Sequence, residues 1–153
     1  MSAAEDRQVL VVDDENDIRT IVGINLGLAG LGFSEAIDGT QALEMLRTDD
    51  YDACILDLTM PGASGFEVLR ELAGGSRIDR PAVVVLSARG APADALEALK
   101  LGAHAHLTKP FSPADLTELV RQLIDLGPKE RQERRLKAIE RATSLDRYGV
   151  RSV

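Results

Sequence analysis

The sequence contains few of the residues that build disulfide frameworks or aromatic cores. Among its 153 residues there is one cysteine, Cys54, there is no tryptophan, and the aromatic fraction is 3%. A single cysteine excludes an intramolecular disulfide framework and a cysteine-rich zinc site. With only two histidines, a metal site made mainly of histidine is not expected either. The 44% hydrophobic and 28% charged fractions are typical of a soluble globular protein.

Long apolar runs are also missing. No run approaches the ~20 residues that a membrane-spanning helix requires. The N-terminus lacks the basic segment and apolar stretch of a secretory signal. We therefore expect a cytoplasmic protein.

Positive charge is scarce in most of the chain and concentrated at its C-terminal end. Residues 1–127 carry 10 basic and 21 acidic residues, a net charge of −11, whereas residues 128–153 carry 8 basic and 4 acidic residues. A strongly acidic body repels nucleic acid, so we expect no direct DNA binding. The composition changes at a helix-stop signal, Gly127-Pro128, and predicts a domain over 1–127 followed by a basic tail over 128–153.

Five short apolar runs alternate with helical patterns, which predicts an α/β protein with a parallel sheet. The first, third and fourth runs are continuously apolar, as strands covered on both faces are. The second and fifth runs are mixed, as edge strands often are, so the pattern predicts a doubly wound sheet of order 2-1-3-4-5. The runs are Val9–Val12, Phe33–Ile37, Ala53–Leu56, Ala82–Leu86 and His104–Leu107.

Helix signals lie between these runs. Ser64 with Glu67 forms a capping box, and Ser112 before Pro113 predicts another helix start. A first helix is expected to begin near Asn16 with a broad apolar stripe, formed by Ile18, Ile21, Val22, Leu26 and Leu28.

Reactive side chains follow four of the five predicted strands. The acid pair Asp13-Asp14 follows the first strand, Asp57 the third, Ser87 the fourth and Lys109 the fifth. Each has an ordinary structural explanation when it is taken alone, such as a turn or a helix N-terminus. Three carboxylates at one sheet edge repel each other, however, and an oxygen-rich set of this kind suits Mg²⁺. A carboxylate can attack phosphorus, so the set predicts metal-assisted phosphoryl transfer onto Asp57.

Four stretches in order, VLVVDDE, DLTMPGASGFEVL, VVVLSA and GAHAHLTKPFS, resemble the receiver domain of bacterial two-component response regulators. The resemblance covers about 120 residues and implies a flavodoxin-like (βα)5 fold. It implies that Asp57 is the phosphoacceptor and that Mg²⁺ is the cofactor. Asp14 would bind the metal directly, Asp13 mainly through water, and the backbone carbonyl of Thr59 would be a further ligand.

The same resemblance implies roles for the remaining residues. Ser87 would be the hydroxyl that moves toward the phosphoryl group, Lys109 would pair with that group, and the Lys109-Pro110 bond would be cis. His106 occupies a position where the family usually has tyrosine or phenylalanine, whose ring turns inward during switching. The alternative for His106 is an exposed edge-strand histidine without a role in switching.

The basic tail admits three interpretations. The stretch KERQERRLKAIER has strong helix formers but no sustained heptad, so it predicts a solvated helix with a frayed end. It could also be an arm that docks on the acidic body or on a partner. The third interpretation is a linker to an output domain outside this chain.

We therefore expect a single-domain response regulator, a signalling switch and not an enzyme, although self-phosphorylation and self-dephosphorylation are expected of it. Its partners would be a histidine kinase or a histidine phosphotransfer protein and an output partner that binds the face made by the fourth helix, fifth strand and fifth helix. The alternatives are a receiver fragment of a larger transcriptional or enzymatic regulator and a phosphorelay intermediate. A phosphatase of the haloacid-dehalogenase type fits less well, because Thr59 stands where such an enzyme needs a second acid.

Overall fold

Strands and helices alternate through the computed structural model, which describes residues 7–60, 64–75, 81–88 and 90–147, with only the backbone for 145–147. The strands are β1 (Gln8–Val12), β2 (Gly32–Ala36), β3 (Ala53–Asp57), β4 (Ala82–Ser87) and β5 (Ala105–Thr108). The helices are α1 (Asn16–Leu28), α2 (Gly39–Thr48), α3 (Gly65–Gly74), α4 (Pro92–Leu101), α5 (Pro113–Asp125) and α6 (Pro128–Arg147).

The five strands form one parallel sheet in the order β2-β1-β3-β4-β5, which confirms the predicted topology. Every residue of β3 and β4 is buried, because these strands lie in the middle of the sheet with helices on both faces. The edge strands β2 and β5 are only partly buried, which explains their mixed sequences. The doubly wound order brings the ends of β1 and β3 together at the point where the chain changes direction across the sheet.

Helix starts follow the predicted capping signals. The Ser64 hydroxyl accepts a hydrogen bond from the Glu67 amide, and the Ser112 hydroxyl accepts one from the Asp115 amide. These contacts satisfy amides that a helix N-terminus leaves without partners. They also determine where α3 and α5 begin beside the strand ends.

The core consists of two layers separated by the sheet. One layer joins alternate strand residues such as Leu10 and Leu56 to α2, α3 and α4. The other joins the intervening residues, such as Val11 and Ile55, to α1 and α5. This alternation follows from the period of two along each strand. It determines which β5 side chains lie on the same side of the sheet as α4.

The apolar stripe of α1 is narrower than predicted. Val22 and Leu26 are buried, but Ile21 is 45% exposed and Leu28 is 84% exposed. A helix packed on a sheet covers only one face, and residues one or two positions away from the central line of that face turn outward. The predicted apolar stripe therefore includes two residues, Ile21 and Leu28, that do not contribute to the buried face of the helix.

The basic segment forms helix α6, which packs against α4 and β5. Its end after Arg147 lies outside the described residues, so the expectation of a frayed terminus stays a prediction, as does the domain division at 127. Among the described helices, none has the length and apolar character that crossing a membrane would require.

Candidate functional site

The site begins where β1 and β3 end side by side. Val12 pairs with Leu56 in the sheet, so Asp13 and Asp57 extend from adjacent strand ends at the same edge. Asp13 is fully buried and Asp57 is 4% exposed, whereas Asp14 is exposed. The backbone amide of Glu15 donates to Asp13 Oδ1, and the amide of Thr59 donates to Asp57 Oδ1. Backbone amides thus hold the two buried carboxylates in place, and the exposed Asp14 lies near them.

Lys109 is the cation that compensates these charges. Its Nζ lies 2.9 Å from Asp13 Oδ2, 3.3 Å from Asp57 Oδ2 and 3.6 Å from Glu15 Oε1. The loop after β5 supplies it, and its backbone amide donates to the Ser87 carbonyl. Burial would lower the pKa of Lys109, but the neighbouring carboxylates of Asp13 and Asp57 outweigh that effect and raise it. The ammonium group therefore stays charged between the two buried acids.

Asp57 is the carboxyl group whose ionisation this arrangement makes less favourable. Burial raises its pKa to about 6, and the charge of Asp13 adds to the rise. The Thr59 amide and Lys109 act in the opposite direction without cancelling it. A carboxylate with a raised pKa in a charged pocket is typical of functional sites, because folding alone does not favour it.

The oxygen atoms of this cluster suit a divalent cation. One carboxylate oxygen from each of Asp13, Asp14 and Asp57 lies within 4.8 Å of the others. Although Asp13 Oδ2 is 2.9 Å from the Lys109 ammonium, it receives no well-directed hydrogen bond from any group in the described part of the chain. A buried carboxylate oxygen without such a donor suits a cation or a water bound to one. The cluster could therefore hold a metal ion.

The remaining predicted residues surround the cluster. Ser87 is the last residue of β4 and is buried, with Leu86 paired to Asp57 in the adjacent strand. Thr59 lies two residues beyond Asp57, where its amide, and not its carbonyl, makes the observed contact. The Lys109-Pro110 peptide bond is cis. The assigned roles of these residues are predictions that geometry alone does not test.

Arg19 is a site residue that sequence reasoning missed. This α1 side chain is 8% exposed, and its guanidinium donates to the Asp13 carbonyl (2.7 Å), to Asn16 Oδ1 (3.1 Å) and to Glu35 Oε1 (3.3 Å). It therefore holds the backbone of the acid pair at Asp13. An arginine between the apolar positions Ile18 and Val22 was the available signal, because a charge on a core-facing stripe needs a partner.

Gly65 is a second residue that sequence reasoning missed. A Cβ atom at this position would lie 2.5 Å from the Asp57 carbonyl oxygen and 2.8 Å from Leu58 Cα. Only glycine lets the N-terminus of α3 approach the end of β3 this closely. The signal in the sequence was the Ser-Gly pair at the helix start, because the serine caps the helix and the glycine permits a close approach of the backbone.

The two histidines lie on β5 or next to it. His104 Nδ1 accepts a hydrogen bond from the Val83 amide at 2.9 Å, which extends the pairing of β4 and β5. His106 is partly buried, and burial lowers its pKa below 6.5. His106 is not exposed, because this side of β5 faces α4 and α6, but the alternative of an edge-strand histidine without a role in switching stays open. Whether His106 acts in switching stays a prediction.

Comparisons with known proteins show the family to which this chain belongs. Residues 9–121 match the family described as response regulator receiver domain. The chain therefore belongs to the response regulator receiver domain family of two-component signalling, in which a phosphodonor such as a histidine kinase is a partner. A probable transcriptional regulator, ycf27 of Cyanophora paradoxa, is 36% identical over 118 residues, which are 77% of this chain and 48% of that protein. This chain thus spans about half the length of that relative.

Solved structures give the same result. The receiver domain of the Francisella response regulator 1452 is 32% identical, with a TM-score of 0.71 over 78% of this chain and 97% of that one. The chemotaxis response regulator CheY4 of Vibrio cholerae is 31% identical, with a TM-score of 0.70 over 76% of this chain and 97% of that one. A receiver domain protein of Clostridium thermocellum is 28% identical, with a TM-score of 0.68 over 91% of this chain and 98% of that one.

Proposed function

We propose that this chain is a cytoplasmic bacterial response regulator that accepts a phosphoryl group on Asp57 from a histidine kinase or a histidine phosphotransfer protein. The observation that carries the proposal is the position of Asp57, a buried carboxylate with a raised pKa between an acid pair and an ammonium group. Its Oδ2 is the oxygen next to Lys109, whereas Oδ1 accepts the Thr59 amide. One carboxylate oxygen is thus held by the backbone while the other faces the reacting groups.

In the transfer step, an Asp57 carboxylate oxygen attacks phosphorus of the donor phosphohistidine. The P–O bond forms as the P–N bond breaks, and the electron pair of the broken bond goes to the imidazole nitrogen, which takes up a proton. Lys109 remains charged and pairs with the phosphoryl oxygens. Asp13, Asp14, Asp57 and the Thr59 carbonyl would hold Mg²⁺, which neutralises negative charge at the site.

The product changes the charge at the end of β3. A phosphoryl group adds about −1.5 to −2 charges near neutral pH, and the Ser87 hydroxyl at the end of β4 is in position to donate to it. A movement of Ser87 is transmitted to the segment between β4 and α4 and so to the face formed by α4, β5 and α5, where His106 lies. Self-phosphorylation by small donors and self-dephosphorylation accompany the switch, which acts by changing partner binding.

A second candidate function has its own support. The relative ycf27 is described as a probable transcriptional regulator, and this chain spans about half of it. The chain would then be the receiver part of a larger DNA-binding regulator. Because residues 1–127 are acidic, a different part of that regulator would contact the DNA. A reading frame that continues beyond Val153 into a basic domain would favour this candidate.

The test is phosphotransfer with matched variants of the full chain. A radiolabelled histidine kinase panel and acetyl phosphate are offered to the wild type, Asp57→Asn and Asp49→Asn, with Mg²⁺ or with a chelator. Asp49 is an exposed acid just beyond α2, so its variant controls for loss of one negative charge. We expect acid-labile, Mg²⁺-dependent label in the wild type and Asp49→Asn only. Undiminished label on Asp57→Asn would overturn the assignment.

A further inference from the structure

Helix α6 occupies the face on which the proposed switching function depends. Its apolar side chains Ala138, Ile139 and Ala142 pack against the core layer that includes Leu99 and Ala103. The helix touches both α4 and β5. It is therefore seated on the surface that the proposed function makes available to a partner.

Two arginines attach α6 to the ends of neighbouring helices. Arg135 donates to the carbonyls of Leu99 (2.7 Å) and Lys100 (2.9 Å) in the last turn of α4. Arg131, one turn earlier, donates to the carbonyls of Leu123 (2.9 Å) and Ile124 (3.4 Å) in the last turn of α5. Carbonyls in the last turn of a helix lack the usual amide donor four residues further on and carry the negative dipole end of the helix, so they attract cations. The basic residues of the tail thus recognise two helix ends at once.

The covered surface includes the side of β5 that holds His106. Ala105 and Leu107 pack with α1 and α5 on one side of the sheet. Because side chains alternate along a strand, His106 lies on the opposite side, together with α4 and α6. Its partial burial is the result expected for a residue under a docked helix. A movement of His106 or α4 would therefore change the contacts of α6.

The attachment of α6 includes few apolar contacts. Apart from the three small or medium side chains that pack, α6 is strongly polar, and its Leu136 is 53% exposed. Most of the directed contacts are hydrogen bonds to carbonyls at helix ends, and two of them are made to α4, the helix that follows Ser87 and the β4 end. A shift of α4 by a fraction of a helical turn would misplace the Leu99 and Lys100 carbonyls relative to Arg135.

We propose that α6 is a displaceable cover of the α4–β5 face, and that phosphorylation of Asp57 releases it. The occupant of the face in the resting protein is this chain's own α6. The partner that replaces it is a helix with the same chemistry, with arginines one turn apart beside small apolar residues. The proposal rests on the proposed function, because it takes the release signal from Asp57.

Thiol labelling of the full chain tests the cover directly. The native Cys54 is fully buried and its pKa is raised to about 12, so it reacts slowly with maleimide. Ala138→Cys places a thiol under the docked face of α6, and Leu136→Cys places one on its exposed face as the matched control. With Mg²⁺ and beryllofluoride, a phosphoryl mimic, we expect Ala138→Cys to label several-fold faster and Leu136→Cys to label at an unchanged rate.

A second pair of variants separates the cover from the phosphoryl chemistry. Arg135→Gln removes the α4 contacts, and Lys137→Gln makes the same charge change at an exposed position of α6. Without any mimic, Arg135→Gln should raise the labelling rate of Ala138→Cys about tenfold, and Lys137→Gln should leave it unchanged. Equal labelling rates of Ala138→Cys in these two variants would overturn the proposal that α6 covers the face. A rate increase that depends on protein concentration would also overturn it, because it would indicate exchange of α6 between two copies.

Fluorine NMR reports whether the mimic is bound at Asp57. A bound mimic with an unchanged Ala138→Cys rate would overturn the coupling between α6 and the site. Absence of mimic binding would instead contradict the proposed function, and the Arg135→Gln result would still decide whether α6 is held as described.

Discussion

Replacing Asp57 with asparagine should stabilise the metal-free protein. Folding buries this carboxyl group beside Asp13, which raises its pKa from 3.8 to about 6. The charged form is therefore less favourable in the folded than in the unfolded chain. Asparagine has nearly the shape of the protonated acid, and its carbonyl oxygen can still accept the Thr59 amide. The variant removes the unfavourable charge without creating a cavity.

The sign and size of the effect follow from linkage. Because the folded-state pKa is raised, the folded protein binds more protons between pH 3.8 and about 6, and its stability falls as pH rises through that window. The raised pKa of Asp57 lowers the free energy of unfolding by ~3 kcal/mol at about pH 7 and by ~1 kcal/mol at about pH 4.5. The gain from Asp57→Asn should therefore be about three times larger at the higher pH.

Urea unfolding in the presence of a chelator measures this difference. The wild type, Asp57→Asn and the exposed-acid control Asp49→Asn are compared at both pH values. The control should change the free energy of unfolding by less than ~0.5 kcal/mol. A destabilised Asp57→Asn protein, or an equal gain at both pH values, would refute the attribution of the raised pKa to burial and to Asp13.

Three further predictions concern the other charged groups. Asp14→Ala should abolish the Mg²⁺-dependent rise in melting temperature, and a wild-type metal response would remove Asp14 from the ligand set. Lys109→Met should destabilise the protein by ~1–3 kcal/mol in urea, because it leaves Asp57 without its cation; an unchanged midpoint would contradict that pairing. In NMR titration the His106 ring should protonate below pH 6.5, because burial lowers its pKa, and stability should therefore decline as pH falls through that value; titration at or above 6.5 would contradict the burial of this ring.

The sheet order and the site could be predicted because both depend on local patterns. A continuously apolar run such as Ala82–Leu86 identifies a central strand, and a charged residue directly after such a run must lie at the sheet edge. The position of Asp57 at the edge of the sheet is therefore predictable from the amino-acid sequence alone. The strand bounds differ only slightly from the predicted ones. Asp57 and Ser87 are the last residues of their strands, whereas the prediction placed them directly after the strands.

The parts that could not be predicted depend on contacts between distant segments. The helical pattern of the tail favoured a solvated helix, because only Leu136, Ala138 and Ile139 are apolar between 129 and 141. The helix docks on the body, as in the alternative of a docking arm, but Arg135 does so through carbonyls at the end of α4, and such carbonyls are present at every helix end whatever its sequence. Burial of Arg19 has the same origin, since two of its three partners, the Asp13 carbonyl and Glu35 of β2, lie outside its helix.

In the proposed switch, the charge imbalance at the strand ends would couple folding, metal binding and phosphorylation. Asp13, Asp14, Glu15 and Asp57 carry four acidic groups near one ammonium group, so a cation bound here relieves repulsion that the folded chain otherwise tolerates. A phosphoryl group at Asp57 would add negative charge, so a cation bound here would relieve more repulsion than in the unmodified chain. Because coupling between two ligands is reciprocal, the factor by which Mg²⁺ favours phosphorylation must equal the factor by which phosphorylation tightens Mg²⁺ binding. An ion that stabilised the resting protein would for this reason also favour the proposed phosphorylated state.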